Sequence, residues 1–201
     1  MLLSSVSKLR ARLNLNDTPK TNAALSGLLL SVTATFESHL NTQFRRATYE
    51  DTFFLDPSNF LTNDPTCVRL FLRGMNPSNL SVKLKSTRLA AGSDLSQDFY
   101  SVDPINSYVS IMDIWAKGDY VTVQYESGYE TVDEGGFAIY QNVDSNLETA
   151  ALIFAEYMFV RKYGDESDTA DDGDYTTPPH SVLVILGRYD RHAPHTIKPR
   201  V

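Results

Sequence analysis

Apolar residues recur at helical spacing toward both ends of the chain and alternate with polar ones in the middle. Val6, Leu9 and Leu13 form one stripe behind Ser4 and Ser5, which predicts a capped short helix over 5–13. Asn14 to Asp17 stops it. Asp17-Thr18-Pro19 then offers a cap with proline at the first helical position, a favoured start. Leu25, Leu28, Leu29, Val32, Phe36 and Leu40 keep the period, predicting a helix over 19–41, about 34 Å long at 1.5 Å per residue. Gly27 inside it costs about 1 kcal/mol against alanine and points to close packing at that turn.

From Ala47 the period becomes two, with Tyr49, Asp51, Phe53 and Leu55 alternating with Thr48, Glu50, Thr52 and Phe54. Further strands are predicted at Val68–Leu72, Ser81–Leu89, Asp98–Val102, Tyr108–Met112 and Tyr120–Tyr125. Between them stand turn-forming residues at 56–59, 63–65, 74–77, 92–94 and 103–104. Gly128 and Gly135-Gly136 are read as the end of this β insertion, 47–127. Ser145-Asn146-Leu147-Glu148 has the spacing of a capping box. It opens a helix over 145–163 whose stripe is Leu147, Ala150, Ala151, Phe154, Tyr157, Met158 and Arg161, with Gly164 as the stop. The pattern is an α+β fold: two long helices and short terminal helices in a bundle, an inserted antiparallel β-sheet or small barrel, and an extended C-terminal arm. One domain is expected over 1–164.

Charge separates the rest. Residues 165–174 carry six carboxylates and no cation, so 165–177 reads as an acidic linker. Pro178-Pro179 opens a short helix with Val182, Leu183, Ile185 and Leu186, and Arg188, Arg191, Lys198 and Arg200 follow. Pro194 and Pro199 forbid a helix in the last residues. Residues 178–201 are therefore expected to be a docking helix and arm, either folded on its own domain or reaching another subunit or protein.

The 201 residues are 42% apolar, enough for a core, and include 11 Tyr and 10 Phe, aromatics that serve well at interfaces. A net charge of −7 argues against a broad phosphate-binding face. The single cysteine, Cys67, cannot form an internal disulfide or a Cys-based zinc cluster within one chain. It sits in an apolar run and reads as a small buried hydrophobe of a reducing compartment. The N-terminal apolar run is too short for a signal peptide, and no segment has the length to span a bilayer. A soluble, intracellular protein without membrane contact is expected.

The sequence offers no reactive constellation. An EF-hand loop starting at Asp168 would place Asp172 and Gly173 correctly, but Ala170 and Pro179 fall where ligands belong. His192 and His195 flank Pro194 and lack the glutamate of a zinc-protease helix. His39 and His180 read as structural. No Gly-rich phosphate loop, nucleophile elbow or paired Ser/His/Asp set occurs. The prediction is no enzyme, with no catalytic, cofactor-binding or metal-binding residues and no cofactor.

The order of parts resembles the head–tail connector proteins (adaptors, or head-completion proteins) of tailed bacteriophages. The resemblance rests on Leu9–Leu15 before the Asp17-capped helix, whose end carries Glu37-Ser38-His39-Leu40-Asn41-Thr42-Gln43-Phe44. It continues in Val121-Thr122-Val123-Gln124-Tyr125-Glu126-Ser127-Gly128-Tyr129, like a family strand ending in V-x-Y-x-x-G-Y. Leu147 to Arg161 resembles the Ala-rich helix with a basic end, and Leu186-Gly187-Arg188-Tyr189 the closing segment. The chain departs in having Val143-Asp144-Ser145 where the family often has proline.

The resemblance implies a virion structural protein at the head–tail junction. It implies a homo-oligomeric ring of about a dozen copies, docked on the portal protein, extending the DNA channel and offering a platform to a tail-completion or tail-terminator protein. DNA would pass through without specific binding, as an acidic lining permits. Portal docking is assigned to Val182, Leu183, Leu186, Arg188, Tyr189 and Arg191 on the arm. Subunit packing is assigned to Leu28, Val32, Phe36, Phe154, Tyr157 and Met158. The rival readings are a tail-terminator or other neck protein, an unrecognised hydrolase using His192 and His195, and a ligand-binding β-domain stacking sugars on Trp115 and Tyr120.

Overall fold

The computed structural model describes residues 1–55, 67–112, 120–163 and 177–189. The chain forms two compact units: Met1–Asn41 with Tyr129–Tyr189, and Thr42–Gly128. The fold is mixed α+β.

The inserted unit holds strands β1 (Ala47–Phe54), β2 (Cys67–Phe71), β3 (Ser78–Lys85), β4 (Ser93–Asp94), β5 (Tyr100–Asp103), β6 (Tyr108–Met112) and β7 (Tyr120–Ser127). They make two antiparallel sheets, ordered β1-β7-β3-β4 and β2-β6-β5. Alternation sends Phe53, Val82, Val121 and Val123 of the first sheet, and Val68, Leu70, Val109 and Ile111 of the second, into one shared core. The expected sheet is therefore two layers, with no closed barrel among the described residues. The predicted strand 81–89 ends early at Lys85 because Ser86–Gly92 turns, leaving Leu89 almost wholly exposed. Its start lies earlier, at Ser78, across an irregularity in its pairing with β7.

One buried charge fastens this unit. Asp51 on β1 is fully buried. It accepts from the Arg73 backbone N–H (2.9 Å), the Arg73 guanidinium and the Tyr125 hydroxyl (2.7 Å). The Tyr125 oxygen in turn accepts from Gly74 N–H at 3.0 Å. Burial and the adjacent carboxylate push the Tyr125 hydroxyl far up, so it stays protonated and donates. The turn after β2 is thus stapled to β1 and β7. Gly74 is required there, since a Cβ would lie 2.0 Å from the Ser127 Oγ.

The helical unit comprises α1 (Val6–Arg12), α2 (Pro19–Leu40), α3 (Ser145–Tyr163), α4 (His180–Leu186) and a hairpin of β8 (Thr131–Glu134) and β9 (Phe137–Tyr140). Ser5 caps α1. Thr18, rather than Asp17, caps α2; Asp17 instead pairs with Arg10 (2.6 Å) and accepts from Asn22 (2.9 Å). The expected capping box at Ser145 does not form; the cap is Asp144, one residue earlier. Asp144 accepts from Asn146 N–H at 2.9 Å, while the Glu148 carboxylate takes Ser4 (2.9 Å) and Lys8 (2.6 Å). The glycines read as an end of the strand region instead turn a hairpin. Gly135 and Gly136 have φ of 63° and 85°, the left-handed pair of a tight reversal. Leu2 adds to its β9 edge through Leu2 N–H to Ala138 (3.0 Å) and Tyr140 N–H to Leu2 (2.9 Å). No described helix is long and apolar enough to cross a membrane.

Candidate docking surfaces

The helical unit is built around the inner faces of α2 and α3, and the apolar stripes read from the sequence decide what those faces hold. Leu25, Leu29, Val32 and Phe36 are fully buried on α2, as are Leu147, Ala150, Ala151 and Phe154 on α3. Phe36 and Phe154 stack, with centroids 6.1 Å apart and planes at 4°. Of the residues assigned to subunit packing, Leu28, Val32, Phe36 and Phe154 are therefore covered within this chain. Tyr157 and Met158 are half-buried.

The C-terminal helix is placed in the same way. Val182 and Leu186 of α4 are fully buried and Tyr189 nearly so, and α4 packs on α3. The Tyr189 hydroxyl donates to Asp144 at the start of α3. That bond, joined by the Asn146 N–H, holds the Asp144 carboxyl below its usual range. Burial and the neighbouring carboxylate push the Tyr189 hydroxyl up. Of the residues assigned to portal docking, Leu183 is half-buried and Arg188 exposed; Arg191 lies outside the described residues. So do the acidic linker except Thr177, the EF-hand candidate except Thr177, Pro178 and Pro179, His192, His195 and Trp115. Tyr120 packs its ring on Phe54 at 5.1 Å.

The helices also leave large apolar side chains outward. Leu30 on α2, Val160 and Tyr163 on α3 and Val184 on α4 are 47%, 55%, 53% and 56% exposed. No charged residue occurs in α2 from Thr21 to Phe36, and within that run the exposed residues are Ala23, Gly27, Leu30, Ser31 and Ala34. The Ser31 and Thr35 hydroxyls turn back to Gly27 and Ser31 carbonyls (3.1 and 2.9 Å), which leaves the face without a projecting donor. On α3, Arg161 and Lys162 lie over the rings of Tyr157 and Tyr163, at 5.5 and 5.3 Å. The stripes that sequence reasoning singled out were the inner faces. The outer ones carried a legible signal in the charge-free run of α2.

A cavity of about 160 Å³ lies among α1, α3 and the hairpin, bordered by Ser4, Ser5, Lys8, Glu134, Tyr140 and Glu148. Its Ser4 and Lys8 groups both donate to the Glu148 carboxylate. Among the described residues no group of three His, Cys, Asp or Glu side chains is placed to hold a metal ion.

No protein-family model matches the chain, and no curated protein matches it. Among solved structures, it is similar to a chain from the neck of an empty gene transfer agent particle computed with C6 symmetry. Identity is 14%, the TM-score is 0.45, and the match covers 99% of this chain and 91% of that one. A chain from the virion of a native gene transfer agent particle is 15% identical with the same TM-score and coverage.

Proposed function

We propose that this protein is a structural subunit of a tailed-phage virion that assembles into a ring at the head–tail junction. In that reading it docks on the portal, extends the DNA channel and presents a platform to the tail. The observation that carries it is the set of large apolar side chains left outward on α2, α3 and α4, Leu30, Val160, Tyr163 and Val184. Their exposure is the expected state of a surface that other protein covers. The order of motifs shared with the connector family supplies the kind of assembly.

Within this reading the docking arm begins after Tyr189. Val182, Leu186 and Tyr189 hold α4 on its own unit, so α4 supplies a fixed base, with Arg188 and Val184 available beside it. The residues from 190 onward, with Arg191, Lys198 and Arg200 against Asp190, pair with acidic groups of the portal. The test is mass measurement of the full-length protein alone and after mixing with purified portal rings. A ring bound only in the mixture supports the proposal. A chain that ignores portal rings but binds purified tail components supports the tail-terminator reading instead.

A further inference from the structure

We draw no further inference here: the strongest candidate, the outward apolar patch of Leu30 on α2 with Val160 and Tyr163 at the end of α3, belongs to the surface already described, and nothing in the structure shows what covers it.

Discussion

Removing one oxygen, by Tyr125→Phe, isolates the contribution of the buried staple in the sandwich. The ring keeps its stack on Tyr49, 5.6 Å away at 16°, and only the hydroxyl is lost. With it go the bond donated to Asp51 at 2.7 Å and the bond accepted from Gly74 at 3.0 Å. A hydrogen bond to a charged group contributes about 1.5–3 kcal/mol, and a buried N–H left unpaired costs about 1–3 kcal/mol. The two overlap, so a loss of about 3 kcal/mol is expected. Far-ultraviolet circular dichroism follows the strands of this unit during urea unfolding. With a slope of about 1.5 kcal/mol per molar, the midpoint should fall by about 2 M. Asp51→Asn should cost more, because it leaves Arg73 without its carboxylate. A midpoint shift below about 0.3 M for Tyr125→Phe would refute the view that the network is closed and dry.

Four further outcomes concern the helical unit and the residues that follow it. Gly27→Ala should raise its stability by about 0.5–1 kcal/mol, since the added methyl meets open space in an α-helix; a lower melting temperature of the free chain would contradict this. Tyr189→Phe should cost about 1 kcal/mol at pH 7, with a definite acid dependence. The folded Asp144 carboxyl titrates below its ordinary value, so its stabilisation is complete above the unfolded value of about 3.9 and fades as pH falls through the folded one. The melting-temperature gap between wild type and Tyr189→Phe should shrink from pH 7 to pH 3, and a constant gap would count against the bond. Deleting residues 190–201 should leave the melting temperature within about a degree while abolishing portal binding. Deleting 178–201 uncovers the partners of Val182, Leu186 and Tyr189 and should lower stability by several kcal/mol, read by circular dichroism melts.

The long helices and several strands were legible because local pattern and tertiary burial agree there. Helix α2 starts with proline at its first turn and ends at Leu40, one residue short of the predicted limit, with Asn41 as its left-handed cap, and β6 matches its predicted limits. The β8–β9 hairpin was missed for a physical reason. Thr131 to Glu134 are all exposed, so no alternation marks a strand, and only the Gly-Gly pair signals the turn. Asp51 shows the limit of pattern reading: alternation put it on the inner face with Phe53 and Leu55, but the Arg73 and Tyr125 partners that make burial tolerable come from 22 and 74 residues away. The seating of α4 was equally invisible, because an amphipathic heptapeptide does not say whose surface covers it. Only the pairing of Tyr189 with Asp144, 45 residues apart, decides that.

The antiparallel pairing of β1 with β7 brings Ala47 opposite Ser127, and Gly128 sits so tightly against Arg45 that a Cβ would come within 2.6 Å of its carbonyl carbon. The two points where the chain crosses into and out of the sandwich are therefore side by side. Such a module behaves as a cassette. Adjacent entry and exit points are what let such a unit be excised and bridged by a few glycines, or exchanged for another of the same span.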